Sequence, residues 1–290
     1  MRYQFIEEHR GEFSVMRMCE VLKVQRSGYY AWRKQPLSAQ KMANEKLTEQ
    51  IRKVHRESKE TYGSPRVHRE LNARGYPCSK NRVAKLMREH NIRAKTRRKF
   101  KVTTRRDKSH PVVGNVLKQQ FRAERPDQIW LSDITYINTH EGWLYLAVIM
   151  DLFSRRIVGW AMTERITSEL TCEALRMALR QRRPKSGLIH HSDRGAQYTA
   201  DPFQALLRAH DIQASMSGKG NPYDNAPMES FFGRLKTELV HHSDYQTRQE
   251  ARMSLFGHIE GFYNLRRLHS ALDYVSPVAF EQAYRSSQIA

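Results

Sequence analysis

Apolar residues in the first ninety positions recur at helical spacing. Val15, Met18, Val21 and Leu22 follow Ser14, which is placed to cap a helix. After a break at Lys23-Val24-Gln25-Arg26, Ser27 is the expected cap of a second helix carrying Tyr29, Tyr30 and Trp32. Leu47, Ile51 and Val54 form another stripe. Ser64-Pro65 then reads as a cap with proline at the first helical position, Val67 and Leu71 as its buried side, and Gly75 as its end. Ser79 opens a further helix, with Val83, Leu86 and Met87 inward and Arg82, Lys85 and Arg88 outward. Short helices joined by tight turns and fringed with basic residues predict helix-turn-helix modules, whose second helix enters the major groove of DNA. A plain helical hairpin with the aromatics in its core is the alternative.

From residue 126 the period changes to that of strands. Ile129, Leu131, Ile134, Tyr136 and Ile137 mark the first, Trp143 to Leu152 the second, and Ile157 to Met162 the third, with turns at Gly142 and at Ser154-Arg155-Arg156. Ser168 caps a helix through Arg182 that is stopped by Pro184 and Gly187. A short strand from Leu188 to His191, a helix from Asp201-Pro202 and a strand from Ile212 to Met216 follow. Three antiparallel strands and then alternating helix and strand predict an α/β fold: a ribonuclease H-like mixed five-stranded sheet with flanking helices, preceded by all-α helix-turn-helix modules. The expected divisions are a helix-turn-helix region over 1–45, a second helical module over 46–92, a basic linker over 93–125, a catalytic core over 126–245 and a helical extension over 246–290. Thr247 with Glu250 is a capping box for that extension, with Leu255, Ile259 and Phe262 in its core.

Charge sharpens this division. The 290 residues carry a formal charge of +20, and residues 1–110 hold 29 Lys and Arg against 11 Asp and Glu, leaving the rest near balance. The front half is therefore suited to nucleic acid and the back half to a folded core. Arg26, Arg33 and Lys34 around the first module, with Arg82 and Lys85 on the second, are candidate DNA contacts. Arg97, Arg98 and Lys99 lie in a basic run from Arg93 to Lys108 that reads either as an arm tracking phosphates or as a charged linker. Cys19, Cys78 and Cys172 are scattered and form no CxxC pattern, which argues against a disulfide framework or a zinc finger and fits a reducing, cytoplasmic setting. No apolar run is long enough to span a membrane, and the N-terminus lacks the apolar stretch of a signal peptide.

Three acids stand out against this background. Asp133 lies mid-strand between Leu131 and Ile134, where a charge is disfavoured unless it acts locally, and Asp193 sits where a strand ends, before Gly195. Glu229, with 35 residues between it and Asp193, lies near the start of a helix that Asp224 or Asn225 can cap and for which Pro227 suits the first turn. Carboxylates from distant parts of a chain gathered at one point need a cation, and divalent metals at such a point serve phosphodiester chemistry. Lys236, seven residues after Glu229, falls within about 20° of it on the same helix face and reads as a DNA contact or a surface lysine. At most one of His190 and His191 faces the acids, and Asp151 is placed to cap a turn. Gly218-Lys219-Gly220 reads equally as a mobile DNA-contacting loop and as an ordinary turn. Arg266, Arg267 and His269 read equally as DNA contacts and as a solvated basic edge.

Several segments together resemble the integrase core of bacterial insertion-sequence transposases of the OrfB type. They are Trp130-Leu-Ser-Asp133-Ile-Thr-Tyr136, Ala147-Val-Ile-Met-Asp151-Leu-Phe-Ser-Arg155-Arg-Ile-Val-Gly159-Trp160, His191-Ser-Asp193-Arg-Gly-Ala-Gln-Tyr198 and Asn225-Ala-Pro-Met-Glu229-Ser-Phe-Phe. Ser27-Gly-Tyr-Tyr-Ala-Trp32, Phe262-Tyr-Asn264-Leu-Arg-Arg267-Leu-His269 and Ser276-Pro277 extend the similarity over nearly the whole chain. Retroviral integrases, similar in the core, carry a zinc-binding front domain whose ligands are lacking here. The resemblance implies that Asp133, Asp193 and Glu229 bind two magnesium ions, with manganese as a substitute, and that Lys236 is the family's basic residue after the glutamate. It further implies cleavage and strand transfer at the terminal inverted repeats of an element and into target DNA. The implied working form is a homo-oligomer on double-stranded DNA, with the product of an upstream reading frame as a further partner. A DNA-binding regulator with an inactive core, and a nuclease that cuts without joining, are the competing expectations.

Overall fold

The computed structural model describes residues 2–34, 39–95, 117, 122–218 and 225–288. The chain forms two compact units, residues 1–59 with 63–93 and residues 60–62 with 94–290. Among the described residues no helix is long and apolar enough to cross a membrane.

In the first unit, α1 (Arg2–His9), α2 (Val15–Val21) and α3 (Arg26–Lys34) enclose Ile6, Met18, Cys19 and Tyr29. Sequence periodicity revealed only the last two helices, because α1 is charged and contributes a single buried residue, Ile6. α3 starts at Arg26, which places Ser27 in its first turn and not at the cap. The Tyr29 hydroxyl donates to Glu7 across this cluster, and that bond lowers the Glu7 carboxyl below its ordinary range. The helices α4 (Ala39–Glu57), α5 (Ser64–Ala73) and α6 (Lys80–Glu89) follow. Gly63 caps α5, one residue earlier than expected, while Ser79 caps α6 by accepting from the Arg82 amide at 3.2 Å. The buried Val67, Leu71, Val83, Leu86 and Met87 are the residues that the pattern placed inward.

The second unit is built on a five-stranded sheet in the order β3-β2-β1-β4-β5. β1 (Ile129–Thr139), β2 (Gly142–Asp151) and β3 (Ile157–Thr163) are antiparallel, while β4 (Ile189–Ser192) runs parallel to β1 and β5 (Gln213–Met216) parallel to β4. The near-continuous apolar run of β2 follows from burial on both faces. Leu144, Leu146, Val148 and Met150 meet α10 (Ala226–Glu238) and α11 (Arg248–His258), and Ala147 and Ile149 meet α7 (Ser168–Arg182) and α9 (Asp201–Ala209). At Gly159 on β3 a Cβ would collide with the Ala174 carbonyl, so glycine lets α7 lie close on the edge strand. This is the ribonuclease H-like architecture that the alternation of elements predicted.

Residues after 246 pack into this same unit. The predicted capping box at Thr247 and Glu250 is present, and α11 places Ala251 and Leu255 in the core before the chain continues through a π-helical turn, Ile259–Tyr263. The Asn264 amide holds the start of β3, accepting from Ile157 N at 2.9 Å and donating to Ile157 O at 3.0 Å. Glu281, on α12 (Pro277–Ser287), closes a buried cluster: Arg182 donates to Asp127, Asp151 and Glu281 at 2.8, 3.0 and 2.7 Å, and Arg156 reaches Glu281 at 3.0 Å.

Two cations here face three carboxylates, and burial raises the Asp151 carboxyl to about 7. A carboxyl whose folded pKa lies above its ordinary value contributes stability at low pH that fades as pH rises through 7. Arg182→Met is therefore expected to cost about 3–5 kcal/mol at pH 8 by stranding buried carboxylates, and distinctly less at pH 5. Urea unfolding at the two pH values measures this, and an equal loss at both would contradict it.

Candidate functional site

The parallel pairing of β4 with β1 sets Leu131 beside His191, so both strands deliver their next carboxylate, Asp133 and Asp193, to the same end of the sheet. Asp133 accepts from the amide of Ile134 at 2.8 Å. Asp193, one residue past β4, accepts from the amide of Gly195 at 2.9 Å, which holds the chain in a tight turn into the short helix α8 (Ala196–Thr199). Gly195 has an ordinary φ of −63°. A Cβ here would meet only the end of the Gln197 side chain, so the turn does not require a left-handed glycine.

Tyr198, fully buried, accepts from Ser132 Oγ at 2.8 Å, next to Asp133 in β1. Burial pushes its phenol well above the ordinary value, and the charges of Asp133 and Asp193 push it further. The sequence contains this tyrosine in the segment after Asp193, but nothing in its spacing marked it as a brace for this end of the sheet.

Helix α10 is fastened to the same place. Asp224 or Asn225 was expected to cap it; Asn225 takes the cap position, but its side-chain amide donates to the carbonyl of Ser132 at 3.1 Å, next to Asp133. Met228, Phe231, Phe232 and Leu235 bury one side of the helix. Glu229, one turn beyond Asn225, is exposed. Two turns further, Lys236 is half-buried with its ammonium 4.7 Å from the ring centroid of Tyr136. Burial lowers the Lys236 pKa, and the nearby Asp133 charge opposes that shift. Lys236 thus lies toward Asp133. Among the described residues, no three acids, histidines or cysteines are close enough to hold one metal ion, so Asp133, Asp193 and Glu229 do not converge on one point in this structure.

The other candidates separate clearly. His190 and His191 are both buried, on opposite faces of β4. His190 packs edge-on against Phe203, and burial drops its pKa to about 3, while His191 is held between Ser215 and Ser217. Asp151 accepts from the amides of Phe153 and Asp127, the turn-capping role expected of it. Arg26, Lys34, Lys85 and Arg266 are exposed. Arg33 pairs with Glu7 at 3.4 Å, and Arg82 donates to Asn44 at 2.9 Å. Arg267, proposed from sequence as a DNA contact, is corrected: it is 1% exposed and forks onto Glu238 at 2.8 and 2.5 Å, so its charge is spent inside the fold. Arg97, Arg98 and Lys99, Asp224, and the Lys219-Gly220 part of the glycine loop lie outside the described residues.

Comparison with known proteins agrees with this architecture. Residues 123–222 and 229–284 match families described as integrase core domain, and residues 42–100 match an HTH-like domain. The transposase InsF for insertion sequence IS3A of Escherichia coli (strain K12) is 44% identical over 97% of this chain and 98% of its own length. A 31 kDa protein of insertion element IS600 from Shigella sonnei is 46% identical over 92% of this chain and 98% of its own. Among solved structures, a simian T-cell lymphotropic virus intasome chain aligns over 74% of this chain and 70% of its own, with 19% identity and a TM-score of 0.47. The magnesium-bound HTLV-2 integrase catalytic core aligns over 55% of this chain and 99% of its own, with 18% identity and a TM-score of 0.42. Fold and motifs define a polynucleotidyl transferase with an integrase core. The chain belongs to the family of insertion-sequence transposases represented by InsF.

Because His190 has a folded pKa of about 3 against an ordinary 6.5, the unfolded chain takes up its proton first and stability falls with pH between those values. About 2 kcal/mol is expected to be lost between pH 6.5 and 5 from this group alone. His190→Phe, which keeps a ring against Phe203, flattens that slope. Urea midpoints at the two pH values test it, and an unchanged slope would show that His190 is not the titrating group.

Proposed function

We propose that this transposase cleaves and joins DNA at the ends of its element through Asp133, Asp193 and Glu229, acting together on divalent metal ions. The observation that carries this reading is the parallel register of β4 with β1, which brings Asp133 and Asp193 to the same end of the sheet, with the first turn of α10 tied to β1 by Asn225. Two adjacent carboxylates with one nearby lysine form a donor set that favours hard divalent cations such as magnesium or manganese. When bound, such ions polarise the scissile phosphate and generate the nucleophile from water or from a 3′-hydroxyl.

In this reading Asp133 and Asp193 supply the fixed half of the site. Glu229 completes it when the first turn of α10 closes on DNA. Lys236 holds the strand beside the acids through a phosphate contact. The exposed Arg26, Lys34 and Lys85, with Arg33, Arg82 and the basic run containing Arg97, Arg98 and Lys99, bind the duplex on either side of the cut, and Arg266 adds a contact from the core. The working form is a homo-oligomer that brings two terminal inverted repeats together with target DNA, and the upstream frame's product joins it.

Asp193→Asn and Glu229→Gln are each expected to lower strand transfer of a pre-nicked end by on the order of a thousandfold, about 4 kcal/mol, while duplex binding stays within about twofold. Joining at the normal rate by either variant would remove that residue from the site. A wild-type chain that cuts but never joins would favour the nuclease reading.

A further inference from the structure

Two large aromatic side chains stand open to solvent beyond the aspartate pair. Tyr136 is 52% exposed and Trp143 47%, although most apolar residues of their strands are buried. The register sets Tyr136 opposite Tyr145, which puts Trp143 one diagonal step away on the same face. The rings meet edge to face with centroids 5.0 Å apart at 82°. Such a cross-strand pair supports the sheet, but that role leaves the outer surfaces of both rings unexplained.

Lys236 connects the pair to the acids. Its ammonium lies over the Tyr136 ring and also feels the charge of Asp133. The alternation of β1 puts Asp133 and Tyr136 on opposite faces. β4 pairs with β1 only at Ile129, Trp130 and Leu131, so beyond Asp133 no β4 residue covers that edge and Lys236 reaches both faces around it. Three residues of strand place Tyr136 about 10 Å from Asp133, within reach of the nucleotides next to a phosphate held at the acids.

We propose that Tyr136 and Trp143 form a stacking platform for an unpaired base of the DNA strand being processed, with Lys236 bridging the platform and the acids. The inference rests on the strand-transfer reading for the identity of the ligand and extends it to the form of that ligand. A base inside a duplex is already stacked on both sides and offers only its edges, so a bare aromatic surface gains stacking only from a base that has left its neighbour. The positive charge of Lys236 suits the phosphate that accompanies such a base. Stacking is tolerant of base identity, so the platform serves element end and target alike.

The test uses the full chain in EDTA, which makes it independent of the metals and of Asp193 and Glu229. One probe is a blunt duplex; the other is the same duplex ending in three unpaired nucleotides with 2-aminopurine as the terminal base. The wild-type chain is expected to quench the 2-aminopurine and to bind the frayed probe more tightly than the blunt one. Tyr136→Leu and Trp143→Leu are each expected to weaken the frayed probe about tenfold and relieve the quench, with the blunt duplex held within twofold, and Tyr136→Phe is expected to behave as wild type. Leu variants that bind both probes as the wild type does, or that lose both equally, would overturn the platform. Loss of joining by Asp193→Asn with no platform effect would sink this inference and leave the strand-transfer reading standing.

Discussion

The electrostatic constraint at the head of the sheet governs the rest of the structure. Two carboxylates brought to one end of a sheet repel each other, and no fold keeps them together without a force that opposes this. Here that force is the parallel pairing of β4 with β1, backed by the buried Trp130, His190, Tyr198 and Phe203 beneath it. The Ser132–Tyr198 hydrogen bond and the local turn at Asp193 hold this end of the sheet in place. The contrast with Asp151 is instructive: that carboxylate is fully buried, faces Arg182 and is committed to the fold.

The two halves of the site differ in how they are attached. Asp133 and Asp193 come from paired strands with apolar layers above and below. Glu229 stands exposed one turn into α10, on the side of the helix away from the buried Met228, Phe231, Phe232 and Leu235, and the start of the helix is held by a side-chain bond from Asn225. In the proposed function this asymmetry is useful: the aspartates wait in place, and the glutamate is brought in by the DNA. The Arg267–Glu238 pair braces the far end of α10.

Much of this was legible in the chain itself. The switch from helical to strand period near residue 126 marked the sheet, and β2 was readable because burial on both faces demands an unbroken apolar run. The capping box at Thr247 and the cap at Ser79 are local chemistry and appeared as expected. Asp133 and Asp193 were conspicuous as charges at strand positions, and the structure brings them together. What was hidden depends on contacts distant in sequence. α1 carries too few apolar residues to announce itself. Arg267 looks like any surface arginine until Glu238, 29 residues away, is placed against it. Asn225 reads as a cap because nothing local reveals that the Ser132 carbonyl is within its reach. Tyr136 and Trp143 look like ordinary strand aromatics, and only their register and exposure set them apart.

The most direct test of the account is a crystal structure of the full chain on double-stranded DNA with manganese, read by anomalous scattering at the metal edge. The account predicts two manganese peaks among Asp133, Asp193 and Glu229, with α10 moved so that Glu229 joins the aspartates. Manganese bound by the aspartates alone, with Glu229 still exposed and apart while DNA occupies the site, would contradict it.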